Sequence, residues 1–369
     1  MKIYPILFFF TFLLFSCKNE KSTEIHLKNS KTIKYAKGFD IVKEEKITKL
    51  IIKKPYQKAK KEYTFILGNV TNLAENKLKT PVKSLVATST THIPMLELLN
   101  AENAIVGFPQ TQFISSKKTR KRIALGKIKE LGTAQSINTE KLIELSPDVI
   151  VAFSLEGSNK SFKTILKSKI PVIYNGDWLE ETPLGKAEWI KFFGALLNKE
   201  KEADSIFKAI EQRYLATKEL ALKAKDKPTV LSGNLFSDVW YAPGGKSFIA
   251  TYFKDANTNY LWKNSKKTGS LPLSIETVLD KAQNATYWIG CGLYKTKKEM
   301  ENSSEQYQNF NAFKNNKVYT YANKKGATGG LIYFETSAIK PDALLKDILK
   351  ITHPELLPNY QLTFFDKIK

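Results

Sequence analysis

Cysteine, histidine and arginine are scarce in this chain. Its 369 residues hold two cysteines, Cys17 and Cys291, three histidines, and three arginines, Arg120, Arg122 and Arg213. A bare metal ion needs three or four converging histidine and carboxylate ligands, and His26, His92 and His353 are too few and too scattered to supply them. There is no Gly-x-Ser-x-Gly elbow, and Ser89 with nearby His92 has no identifiable acid partner, so hydrolysis is left unsupported. Gly326, Gly329 and Gly330 do not follow a strand into a helix with phosphate-binding spacing. Beyond the first fifteen residues no further long apolar run occurs, and nothing after them is predicted to span a membrane.

What is present begins with that first run. Lys2 gives a positive start, and Tyr4 to Phe15 carry no charge. About a dozen residues are too few for a spanning helix and fit the apolar core of a secretory signal. Leu14-Phe15-Ser16-Cys17 resembles a bacterial lipobox, at which residues 1–16 are removed and Cys17 is acylated, although Phe15 is bulkier than usual there. The alternative is an ordinary signal peptide that contains a cysteine. Residues 17–33 are polar and lysine-rich and read as a tether between lipid and fold. With Cys17 acylated only Cys291 remains, and no internal disulfide can form. The localisation that follows is the extracytoplasmic side of a membrane, held by lipid.

About 350 mature residues exceed the comfortable size of one core, which predicts two lobes, and 42% hydrophobic residues suffice to fill them. The net charge of +22 comes almost wholly from lysine. Such a charge invites nucleic acid as a partner. The lysines, however, are scattered over every segment of an exported chain, so a solvated lysine coat is the better reading and no nucleic acid is expected.

Residues 34–80 predict a small antiparallel β layer, with strands at Ile47–Ile52 and Tyr63–Leu67. From Pro81 short strands, such as Val172–Tyr174 and Thr229–Leu231, alternate with short helices, such as Pro94–Leu99 and Ser161–Ser168, the pattern of a parallel sheet with right-handed crossovers. An N-terminal α/β lobe is placed at 81–181, linker helices at 182–226 and a C-terminal α/β lobe at 227–369. Thr182-Pro183 caps the linker segment. Beginning near Asn198, apolar residues at Ala203, Ile206, Phe207, Ile210, Tyr214, Thr217, Leu220 and Ala221 predict one helix of about 28 residues, roughly 40 Å long. A weak repeat flanks it. Glu140 opens a helix followed eight positions later by Asp148 and the strand Val149-Ile150-Val151, and Glu276 opens one followed by Asn284 and a strand from Ala285 to Ile289. The fold class is therefore α/β, with two similar lobes of parallel-rich sheet joined by one long helix and preceded by a small antiparallel layer.

These features resemble the solute-binding proteins of ABC importers that carry ferric siderophores, cobalamin and haem. The resemblance rests on Ala87-Thr88-Ser89-Thr90-Thr91-His92, on Leu131-Gly132 with Asn138 to Leu142, on Ser146-Pro147-Asp148-Val149-Ile150, on Tyr241-Ala242-Pro243-Gly244-Gly245, and on Lys340 to Ile348 with His353-Pro354-Glu355-Leu356. It covers roughly Tyr35 to Pro358 and implies a non-enzymatic, monomeric carrier without a resident cofactor. A ferric siderophore would be its ligand and an ABC permease its partner, with cobalamin or haem as the alternative ligand and a lipid-anchored hydrolase as the alternative class.

The resemblance also implies where contacts fall. Glu140 and Glu276 would meet arginines on the permease. The ligand would lie at the facing strand ends, where open α/β sheets bind, against Thr91, His92, Phe108, Gln110, Phe153, Glu156, Trp178, Trp240, Tyr241, Tyr333, Phe334 and Glu335. Aromatic residues at loop tips suit a large planar or chelated ligand, and with so few histidines an iron already wrapped in a chelator is preferred to a bare ion. His92 is the one candidate for an axial haem ligand.

Overall fold

In Phe39, Ile41, Leu50, Ile52, Phe65 and Leu67 apolar side chains recur at every second position, the period of a half-buried strand. All six are buried. They belong to β1 (Phe39–Lys43), β2 (Ile47–Ile52) and β3 (Tyr63–Gly68), paired antiparallel, with β4 (Lys77–Lys79) added in parallel at the edge. The computed structural model describes residues 32–369 other than 45–46, 71–75, 134–135, 155–163 and 166. Cys17, His26, Glu156 and the first part of the predicted helix Ser161–Ser168 lie outside the described residues. Among the described residues no helix is long and apolar enough to cross a membrane.

The chain reaches β1 through an extended segment tied down by two buried carboxylates. Glu188 accepts the amides of Lys34, Tyr35 and Ala36, and Glu180 accepts those of Lys37 and Gly38 together with the indole N–H of Trp189. A buried charge is tolerable only when its lone pairs are used in this way.

Two parallel sheets follow. The first holds β5 (Leu85–Ala87), β6 (Ile105–Phe108), β7 (Lys129–Glu130), β8 (Val149–Ala152) and β9 (Val172–Tyr174), ordered β7-β6-β5-β8-β9 and parallel throughout. Its central strands β5 and β8 are buried at every residue, as strands covered on both faces must be. After the linker come β10 (Thr229–Leu231), β11 (Asn234–Phe236), β12 (Val239–Pro243), β13 (Asn259–Tyr260), β14 (Ser270–Leu273), β15 (Tyr287–Ile289), β16 (Val318–Thr320) and β17 (Asp366–Lys367). The second sheet is ordered β13-β10-β15-β16-β17, parallel except for β17 at its edge. The runs β6-β5-β8-β9 and β13-β10-β15-β16 have the same order and direction, and the helices Thr139–Leu145 and Ile275–Ala282 lead into the equivalent strands β8 and β15. The repeat seen in the sequence is a repeat of topology. A separate antiparallel sheet, β11-β12-β14, stands beside the second lobe and was not anticipated.

The helix between the lobes runs from Glu200 to Ala221, 22 residues rather than the predicted 28, or about 33 Å at 1.5 Å per residue. It starts late because Asn198, in the left-handed region, closes the preceding helix Ile190–Leu197. It stops early because beyond Ala221 the chain turns polar and lysine-rich toward Pro228, with no apolar stripe to bury. The apolar stripe crosses from one core to the other. Ala203, Phe207 and Ile210 pack in the core of the first lobe, and Tyr214 packs in that of the second. Lys218 and the Tyr214 hydroxyl, both on Asp255, and Arg213, on Asp342, fasten its far end to the second lobe. Ala338 and Ile339, predicted within the C-terminal lobe, are buried instead in the first core.

Candidate functional site

Because both sheets are parallel, the loops that leave the carboxyl ends of their strands gather on one side of each lobe, and two adjoining recesses form there. One encloses about 460 Å³ and is lined by Trp178 after β9, Ser232 to Asn234 after β10, Gly290 after β15 and Tyr321 after β16, with Tyr241, Phe248 and Tyr333. The other encloses about 590 Å³ between Thr88 to Thr90, Phe108 to Gln110, Phe113 and Phe153 of the first lobe and Leu293, Lys295, Ala322, Lys325 and Leu331 of the second. Phe334 borders both. The rings of Phe153 and Trp178, one from each recess, lie 5.6 Å apart.

Seven residues singled out from the sequence line these recesses: Phe108, Gln110, Phe153, Trp178, Tyr241, Tyr333 and Phe334. The others do not. Trp240 is fully buried, packed on Trp288 at 5.2 Å with its indole N–H on the carbonyl of Ser232. The predicted loop is strand β12, and strand alternation turns Trp240 inward and Tyr241 outward. His92 is also fully buried. The helix begins at His92 rather than at Pro94, which sets the ring against Phe193 at 5.5 Å. Burial, partly offset by Asp177, holds this imidazole neutral with a pKa lowered to about 4. Among the described residues neither ring nitrogen has a hydrogen-bond partner, and the Ser89 hydroxyl meets that of Thr91 at 2.9 Å rather than the imidazole. Thr91 is half-buried and outside both linings, and Ser89 and Thr90 take its place. Glu335 is buried too, its carboxylate turned onto the amides of Ser115 and Ser116 in the other lobe. Glu140 and Glu276 stand exposed in the first turns of equivalent helices.

The expected set takes in the loop after β6 only as far as Gln110 and none of the loop after β15. Phe113, Leu293 and Phe334 are 49%, 62% and 49% exposed, large apolar side chains left facing solvent in one recess. For Phe113 and Leu293, which the expected set lacks, the mark in the sequence is an apolar residue placed a few positions beyond a strand end. The charged lining residues are Glu180, Lys295 and Lys325. Glu180 is spent on amides and the Trp189 indole, and no salt bridge engages either lysine among the described residues. The recess therefore offers flat apolar walls, short hydroxyls and two lysines with no salt-bridge partner among the described residues. Among the described residues no three His, Cys, Asp or Glu side chains gather to hold a metal ion.

Residues 85–324, well over half of the chain, match the periplasmic binding protein family. The chain belongs to that family. Its members bind solutes rather than catalyse reactions, and the paired lobes with a cleft at their strand ends have the form that work requires. An uncharacterized lipoprotein of Methanocaldococcus jannaschii is 25% identical to this binding protein across 97% of the chain and 93% of its own length. Among solved structures, a possible iron-binding (periplasmic solute-binding) protein of Staphylococcus epidermidis superposes with a TM-score of 0.57 at 18% identity, covering 74% of this chain and 100% of its own. A periplasmic haem-binding protein of Vibrio cholerae does so with a TM-score of 0.55 at 16% identity, covering 71% and 99%. Both likenesses are of fold.

Proposed function

We propose that this binding protein captures a ferric siderophore in the cleft between its lobes and delivers it to an ABC importer permease. The observation that carries the reading is the exposed apolar surface of Phe113, Leu293 and Phe334, set among further aromatic rings at the strand ends of both lobes. Solvent-facing apolar side chains gathered in one concave site are costly unless a ligand covers them. Lys295 and Lys325 suit a chelate that carries negative charge. An iron already enclosed by its chelator needs no ligand from the protein, in keeping with the scarcity of histidine. Haem is the weaker alternative, because the imidazoles of His92 and His353 are both buried, and cobalamin has no specific support.

The lipobox-like Leu14 to Cys17 and the lipoprotein relative support an anchor on Cys17 that holds a monomeric carrier on the extracytoplasmic side. Glu140 and Glu276, exposed and topologically equivalent, are assigned to docking on the permease. Titrating the purified protein with ferric catecholate and hydroxamate siderophores, haem and cobalamin, while following tryptophan fluorescence, tests the ligand. Saturable quenching by at least one ferric siderophore is expected, and quenching by haem or cobalamin alone would overturn the reading.

A further inference from the structure

The glycine-rich turn Gly326–Gly330 and the short helix Ile332–Thr336 that follows it belong to the second lobe by sequence, yet they press on the loop Gln110–Ser116 of the first. A methyl group on Gly330 would lie 2.1 Å from the carbonyl oxygen of Phe113, and one on Gly326 would lie 2.6 Å from the Cα of Ser115. Only glycine permits so close an approach of two backbones. Thr328 donates its hydroxyl to the carbonyl of Gln112 at 2.7 Å. Glu335, 1% exposed, accepts the amides of Ser115 and of Ser116, the latter at 2.8 Å. The pinned loop carries Gln110 and Phe113 into the larger recess, and the pinning segment carries Gly329, Leu331 and Phe334 into it.

From this geometry we infer that Glu335 is a positioning residue for the cleft, a buried pin that holds the loop Gln110–Ser116 against the second lobe. The groups around it favour proton uptake on seating. On the helix His92–Leu98, Glu97 places a second carboxylate nearby, accepting the hydroxyls of Ser116 and Thr119, and His92 stays neutral. Of the cations close in sequence to the pinned loop and the turn, Lys118 is bridged to Glu102, Lys324 to Asp366, and Arg120 donates to the carbonyl of Thr111, while Lys117 and Lys325 form no salt bridge among the described residues. Among the described residues none forms a salt bridge with Glu335. Burial, opposed by the two amides and reinforced by Glu97, lifts its carboxyl to about 7. A carboxyl raised on seating stabilises the seated form fully below its ordinary value near 4.5, and that contribution is lost as pH rises through about 7.

Amide hydrogen exchange of the segment 110–116 in the full chain, corrected for intrinsic rates, reads the pin directly. For the native protein the protection of the Ser115 and Ser116 amides should fall about tenfold per pH unit between 5 and 7. Glu335→Gln, which keeps an acceptor but cannot titrate, should remove the pH dependence, and Glu335→Ala should lower protection at every pH. Equal protection at pH 5 and 8 in the native protein would overturn the inference. So would a Glu335→Gln variant that keeps the native slope, or a folded Glu335→Ala variant that keeps both amides protected. None of these measurements depends on which ligand the cleft carries.

Discussion

Replacing Trp178 with alanine removes a ring that faces the smaller recess and lies beside Phe153 of the larger one. Buried aromatic contacts with a ligand are often worth ~2 kcal/mol, about thirtyfold in affinity. Trp178→Ala should therefore weaken ferric-siderophore binding by that factor with little change in melting temperature. Trp240→Ala should behave in the opposite way. Its ring fills the core against Trp288, Tyr307 and Phe310, and losing a buried tryptophan costs about 3–5 kcal/mol of stability. Chemical denaturation compared with ligand titration separates the two, and a Trp240→Ala protein of native stability would contradict the core assignment. Reversing the free charges with Lys295→Glu and Lys325→Glu should weaken anionic chelates more than neutral ones, an order readable from competition titrations at low salt.

At the scale of elements, short buried strands and amphipathic helices were legible because their periods differ. The strands β9 and β10 fall where the pattern put them, at Val172–Tyr174 and Thr229–Leu231. What the pattern hid was direction. A tryptophan and a tyrosine side by side at 240 and 241 look alike in a presumed loop, and only the pairing of β12 with β11 and β14 decides which one turns inward. The same holds for His92, whose burial follows from one extra residue pair at the start of a helix. The turn Gly326–Gly330 drew notice only as a failed phosphate loop, since its purpose is a contact some 210 residues away in sequence. Gly330→Ala should disrupt that contact, with a penalty of roughly 1–3 kcal/mol for the forced backbone shift. Thermal unfolding would register the cost, and an unchanged melting temperature would contradict the close approach.

For the whole molecule, the duplicated topology is the feature that organises function. Two equivalent helix starts present Glu140 and Glu276 to solvent, one per lobe, while equivalent strand ends build the cleft. Glu140→Lys with Glu276→Lys should abolish permease-coupled uptake by placing like charges at both contacts, a cost of several kcal/mol in association, with ligand affinity unchanged. Transport at the native rate would remove the docking assignment. Two lobes and a linking helix were readable from strand–helix alternation, whereas the passage of Ala338 and Ile339 into the first core was not, because no local pattern records which of two cores an apolar residue joins. The central claim concerns what occupies the cleft. Anomalous diffraction at the iron edge from crystals grown with a ferric siderophore would locate the metal directly. The account predicts one iron peak between the two recesses, beside Phe334 and within reach of Trp178 and Phe153. An iron peak elsewhere on the protein, or an empty cleft at saturating chelate, would contradict it.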